Sequence, residues 1–342
     1  MSEPLVTVLI DTYNYGRFIE AAIDSVLAQD FDLERVEILV VDDGSTDDTR
    51  ERVGKYGERV RYLRKENGGQ ASTLNLGFAR ARGEIVATLD ADDYFLPGKL
   101  RRVVEEFGRR PDAGMVYHAR LNLRGETGEF VTPEFAEVSG FVAGDAAELL
   151  KYDLYPTSCL AFRRGVVGRL LPIPEVLRIQ ADGFLVLLMP LVAEVVAVSE
   201  PLAVYRLHGG NLFFLDEQAA VGVEQKKKWI ASFRKVVEEG EAWTGRHQGE
   251  LRGVPTRRYF SRWRLPLEER EFAIDAPGRL RYFWFLLRRN YTGAPIQSLR
   301  FTIFNYLGAV MALGFGYGRA SSLNKKMLAR FQAWSKGGQA AG

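Results

Sequence analysis

The chain has 342 residues, 46% of them hydrophobic and 26% charged, enough apolar mass for one large domain or two smaller ones. Its single cysteine, Cys159, excludes an internal disulfide framework, and MSEPLVTVLID has neither the basic flank nor the apolar core of a signal peptide, so a cytosolic setting is expected. The net charge of +2 divides unevenly: from Phe213 onward there are 22 Lys+Arg against 11 Asp+Glu, and the residues before it carry a net −9.

Leu5–Ile10 (LVTVLI) is a short apolar, β-branched run that predicts a buried strand. Phe18–Gln29 follows with apolar residues at helical spacing. Val36–Val41 predicts a second strand, ending at Asp42-Asp43-Gly44-Ser45, where Ser45 or Thr46 can cap a helix running through Arg52. Val60–Leu63 predicts a third strand, Gln70–Arg82 a helix, and Glu84–Leu89 a fourth strand that runs into Asp90, Asp92 and Asp93. Leu100–Phe107 is helical and Gly114–His118 opens another strand. Strands alternating with helices imply an α/β fold with a mostly parallel sheet flanked by helices.

The middle of the chain is less regular. Gly144–Lys151 predicts a short helix, Pro156–Phe162 a loop and then a strand, and Phe184–Leu191 a helix preceded by Gln180-Ala181-Asp182-Gly183. Glu194–Val198 and Leu202–Tyr205 predict two short strands, followed by Arg206-Leu-His208-Gly-Gly. After residue 212 the pattern becomes a basic, helix-rich extension: Gln225–Glu239 is amphipathic, Arg279–Asn290 sets aromatics between arginines, and Phe301–Tyr317 is largely apolar but short for a membrane span. The expected division is residues 1–212 and 213–342. The second part suits either a peripheral membrane contact or an oligomer contact. No nucleic-acid-binding motif is present.

In sheets of this kind ligands bind outside the carboxyl ends of the strands. Three polar loops converge there: Asp11-Thr12-Tyr13-Asn14, Asp42-Asp43 and Asp90–Asp93. No G-x-G-x-x-G follows the first strand, where the sequence is DTYNYG, and no G-x-x-x-x-G-K-[ST] occurs, which excludes a dinucleotide fingerprint and a P-loop. Asp90 and Asp92 are two apart and share one side of an extended segment, so their hard oxygens suit Mg²⁺ or Mn²⁺, whose remaining positions diphosphate oxygens would fill.

The blocks VTVLIDTYNYGRFIEAAIDSVLAQ, EILVVDDGSTDDT and NGGQASTLNLGFARARGEIVATLDADD together resemble a family 2 glycosyltransferase of the GT-A fold, closely from Leu5 to Arg110 and more weakly to Asn211. The resemblance implies a nucleotide-diphosphate-sugar donor, by family habit a UDP-sugar, a divalent metal, and transfer with inversion to a carbohydrate or lipid-linked acceptor in polysaccharide or glycoconjugate assembly. It assigns Thr12, Tyr13 and Asn14 to the loop meeting the base, and Asp43 to a hydrogen bond with the base, with Asp42 as second choice. Gly69 and Gln70 fall beside the nucleotide. Asp90, Ala91 and Asp92 form the D-x-D motif, with Asp92 the direct metal ligand. His208 is assigned to the metal or diphosphate. Asp182 is the general base, although Ala181 stands where the family has an acidic neighbour. Asp93 is left between orienting the site, touching the sugar and opening the turn closed by Pro97. Two other readings stay open: a nucleotidyltransferase, whose first loop would be glycine-rich and basic, and a sugar-nucleotide-binding scaffold without turnover.

Overall fold

A computed structural model of the chain describes residues 3–125, 127–142, 155–208, 211, 223–251, 256, 259–260 and 263–264. The chain forms two compact units, residues 1–263 and 264–342. The expected helices at 144–151, 279–290 and 301–317 lie outside the described residues.

The first unit is built on a nine-stranded sheet in the order β3-β2-β1-β4-β8-β6-β9-β5, with β7 against β6. The strands are β1 (Val6–Thr12), β2 (Val36–Asp42), β3 (Val60–Arg64), β4 (Ile85–Asp90), β5 (Tyr94–Phe95), β6 (Ala113–Arg124), β7 (Phe130–Val131), β8 (Leu160–Arg163) and β9 (Glu194–Leu207). β1 to β4 pair in parallel, as the alternation with helices predicts. The sheet as a whole is mixed rather than mostly parallel, because β8 runs antiparallel to both β4 and β6, and β5 antiparallel to β9.

The β1, β2 and β4 runs are buried on both faces over most of their length, which is why their sequences are near-continuous apolar runs rather than strict alternations. Helices α1 (Gly16–Leu27), α2 (Thr49–Gly54), α3 (Gln70–Arg80), α4 (Lys99–Arg109), α5 (Arg164–Val167), α6 (Ala181–Val192) and α7 (Val223–Arg246) accompany the sheet. α1 packs Ile19, Ala22, Ile23 and Val26 into a core with Val8, Ile10 and Val40. α6 is apolar all round and almost wholly buried. α7 crosses it closely at Gly240, where a Cβ would come 2.5 Å from Leu187 Cδ2. Among the described residues no helix is long and apolar enough to cross a membrane.

Register brings the polar strand ends together. Thr12 lies opposite Asp42, and Asp11 opposite Asp90. Neighbouring strands are about 4.8 Å apart, so the ends of β2, β1 and β4 form one ledge roughly 10 Å wide.

Candidate active site

Above this ledge is a cleft of about 600 Å³, within the range of small-molecule sites. Asp11, Thr12, Tyr13, Tyr15, Asp43, Gly69, Gln70, Asp90, Ala91, Asp92 and Asp182 all line it. Most of the residues expected at the site are therefore in one place, though they arrive from five separate segments.

At one end Asp43 organises the glycine turn before α3. Its Oδ1 accepts from Gly68 N–H at 2.8 Å and from Lys65 Nζ at 2.6 Å, and its Oδ2 from Gly69 N–H at 2.7 Å. Gly69 has φ +86°, and a Cβ there would lie 2.7 Å from Arg178 Cα, so the turn requires glycine. Asp42 does not line the cleft. It is fully buried, and its carboxylate accepts from Ser45 N–H at 2.7 Å and from the Tyr62 hydroxyl. The pleat turns it inward where it turns Asp43 outward. Asn14 is likewise a turn residue: with φ +57° it donates its N–H to Ser45 Oγ at 2.8 Å and accepts from Thr46 N–H at 2.8 Å.

The carboxylate group occupies the middle. Asp90, Asp92 and Asp93 each place an oxygen within 4.8 Å of the others. Asp11 and Asp90 share a hydrogen bond, and burial pushes both carboxyls up from the ordinary range, with the neighbouring carboxylates adding to the shift at Asp90. Asp11 Oδ1 is buried with no hydrogen-bond partner. Asp92 Oδ2 is 3.0 Å from His208 Nε2, and Tyr15 also reaches Asp92. The His208 ring sits against Tyr15 and Phe18, with centroids 5.8 and 4.7 Å away. A buried set of oxygen donors with one orphaned oxygen and an adjacent imidazole fits a hard divalent cation.

Both oxygens of Asp93 are engaged, Oδ2 by Ser158 Oγ at 2.5 Å and Oδ1 by Arg206 N–H at 3.0 Å. Ser158 Oγ also accepts Asp90 N–H at 3.1 Å, and Ser158 carbonyl accepts the Lys99 ammonium at 2.6 Å. Asp93 thus fastens the loop that presents Asp90 and Asp92.

Asp182 lies in the first turn of α6, which starts after Gln180 in the left-handed region. Burial pushes its carboxyl up to about 6, against hydrogen bonds from Gly183 N–H and Thr157 that favour the charged form. Gln70 sets this corner: its Oε1 accepts Ala181 N–H at 2.9 Å, and its Nε2 donates to Thr157 Oγ1 at 3.2 Å. Thr157 Oγ1 in turn donates to Asp182 Oδ2 at 3.2 Å. The Gln70 amide thereby steadies the Asp182 corner and still keeps one N–H and one oxygen lone pair, and Gln70 lines the cleft.

Beyond the carboxylates the cleft continues over Arg120, Asn122 and Arg124 of β6, Tyr205 and Leu207 of β9, and Trp229 of α7. Sequence reasoning missed these as lining residues, because it read Gly114–His118 as the opening of a strand and did not follow that strand further. The alternation HARLNLR, with polar residues at every second place, was the available signal.

Residues 7–171 match the family model described as glycosyl transferase family 2. An uncharacterized glycosyltransferase of Nostoc sp. is 35% identical over 247 residues, covering 67% of this chain and 75% of that protein. S. aureus TarS in complex with UDP-GlcNAc superposes with a TM-score of 0.57 at 20% identity, covering 93% of this chain and 83% of that one. The mannosyltransferase PcManGT of Pyrobaculum calidifontis, in complex with GDP-Man and Mn²⁺, gives a TM-score of 0.51 at 20% identity over 95% of this chain and 84% of that one. These two likenesses establish the GT-A fold.

Proposed function

The chain belongs to glycosyl transferase family 2, and from that premise we propose an inverting, divalent-cation-dependent transfer of a sugar from a nucleotide-diphosphate-sugar to an acceptor hydroxyl, in polysaccharide or glycoconjugate assembly. One observation carries the reading: Asp182, Asp90, Asp92 and Asp43 all line the same cleft. TarS with UDP-GlcNAc and PcManGT with GDP-Man and Mn²⁺ support the donor class.

In the proposed reaction Asp43, Thr12 and Tyr13 position the nucleoside. Asp90 and Asp92, with His208 beside Asp92, would hold Mg²⁺ or Mn²⁺, which when bound neutralises the charge that grows on the departing diphosphate. Asp182 accepts the proton of the acceptor hydroxyl as that oxygen attacks the anomeric carbon from the face opposite the leaving group. The carbon passes through an oxocarbenium-like state and its configuration inverts in a single displacement. Thr157 and Gln70 keep the carboxylate aimed throughout.

The test is release of nucleoside diphosphate from a panel of UDP- and GDP-sugars with Mn²⁺ or Mg²⁺ and a panel of glycan acceptors. Binding that survives both Asp92→Ala and chelation would sink the cation assignment. Normal turnover by Asp182→Asn would remove the base. Donor binding without turnover on any acceptor would point to a scaffold instead. The basic C-terminal part is proposed to meet an anionic membrane surface. Co-sedimentation of the full chain with phosphatidylglycerol vesicles should be lost in the double variant Arg288→Glu, Arg289→Glu; if that variant sediments like the parent chain, the proposed contact is wrong.

A further inference from the structure

We propose that the floor made by Arg120, Asn122 and Arg124, with Tyr205 opposite Asn122, is a subsite for an acceptor glycan that carries negative charge; this rests on the transferase reading and specifies its acceptor. The three β6 residues are two apart and all line the cleft, so one face of one strand presents guanidinium, amide, guanidinium in order. Register places Tyr205 opposite Asn122 and Leu207 opposite Arg124. Both also line the cleft, and Trp229 lines it from α7.

The floor starts at the reacting centre. Arg206 N–H bonds Asp93 from the residue next to Tyr205, and the Arg120 guanidinium lies over the Tyr205 ring, 5.6 Å from its centroid. Arg120 is therefore close enough to the carboxylate loop to serve a donor diphosphate. Arg124 is not: four residues along an extended strand place it about 13 Å farther on. An anion that meets it in the cleft therefore belongs to something that extends away from the donor. Arg124 meets Glu129 at 3.7 Å, and both side chains are partly exposed. A pair this long and solvated is worth little in itself, and a phosphate or carboxylate able to make two parallel hydrogen bonds to the guanidinium would compete with it. Trp229 and Leu207 supply apolar surface for the sugar faces between charges.

The chemistry required is an anionic group on a saccharide, carried either as a uronate carboxylate or as a phosphodiester. The test uses the full chain with saturating UDP or GDP and Mn²⁺. Calorimetry measures binding of three probes of equal length: an oligogalacturonate, a phosphodiester-linked oligosaccharide and a neutral galacto-oligosaccharide. At least one anionic probe should bind about tenfold tighter than the neutral one, with an affinity that falls as salt rises. Arg124→Ala and Arg124→Gln should each cost about tenfold on that probe, and Arg124→Lys should recover only part of it. Unchanged thermal unfolding and circular dichroism certify the folded variants. Whichever anionic probe wins identifies the source of the charge. Equal binding of all three probes, or unchanged anionic binding in both folded variants, overturns the subsite. Failure of both nucleotides to bind the parent chain would strike at the transferase reading, while the probe comparison still decides the subsite.

Discussion

Asp182 Oδ2 accepts from Thr157 at 3.2 Å in the first turn of a buried helix, with its carboxyl pushed up to about 6. Asp11 and Asp90 are the carboxyls that face it across the cleft. A base works only when deprotonated, so kcat/KM should climb as pH rises through about 6 and level off above it. Asp182→Asn should lower kcat by roughly 10²- to 10⁴-fold and flatten that limb, with donor KM little changed. A pH–rate profile of both proteins checks this; an acidic limb that survives in the variant would assign it to another group. Lys99 poses a different question at the same scale. Its ammonium is fully buried, donates to Ser158 carbonyl at 2.6 Å and lies 3.5 Å from the centroid of Phe95. Burial lowers it to about 7. Lys99→Met keeps the stem but orphans the carbonyl that steadies the Asp90–Asp93 loop. Denaturant unfolding should show a loss of about 1–3 kcal/mol, and a variant as stable as the parent chain would show that Ser158 is held by other means.

Among the elements, the short segment before α3 concentrates most constraint. Gly69 combines φ +86° with ψ 176°, a region open essentially to glycine alone. Gln70 N–H donates to Arg178 carbonyl at 2.8 Å, so this turn and the strand-less segment before α6 are one joint. Gly69→Ala should cost on the order of 1–3 kcal/mol and shift Arg178, weakening nucleoside-diphosphate binding by roughly tenfold or more; calorimetry with UDP or GDP measures it. The strands β1, β2 and β4 were readable because a largely apolar run rich in Val and Ile followed by acid marks a buried strand reaching a rim. Other elements were hidden for physical reasons. β9 read as two strands because Pro201 interrupts it, yet the ladder carries on past Pro201 through an irregularity opposite Ala119, where a missing N–H is tolerated. The hold of Gln70 on the Asp182 corner was not readable, because its partners, Thr157 and Ala181, lie 87 and 111 residues away, and no local pattern encodes such pairs. Asp42 and Asp43 differ only by the pleat, which a sequence doublet does not phase.

For the whole molecule, the acid ledge raises a question of balance. Asp11, Asp43, Asp90, Asp92 and Asp182 share one cleft, and the arginines that also line it, Arg120, Arg124 and Arg178, do not include a direct partner for Asp11 Oδ1. Folding brings these carboxylates together from Asp11 to Asp182 and buries them, and that burial, with neighbouring carboxylates adding to it, raises the Asp11 and Asp90 carboxyls. A cation that binds the folded ledge and not the unfolded chain must therefore stabilise the protein. At a hundredfold excess over its Kd the gain is about 2.7 kcal/mol, several degrees of Tm for a domain of this size. Thermal unfolding with Mn²⁺ or Mg²⁺ against chelator should show that rise. Adding a nucleoside diphosphate should enlarge it by more than the nucleotide gives alone, because each ligand then supplies the other's missing charge. Asp92→Ala should abolish the cation's share while leaving the nucleotide's own share through Asp43. A Tm rise of equal size in Asp92→Ala would place the cation elsewhere on the chain and leave the carboxylate ledge without the counter-charge proposed for it.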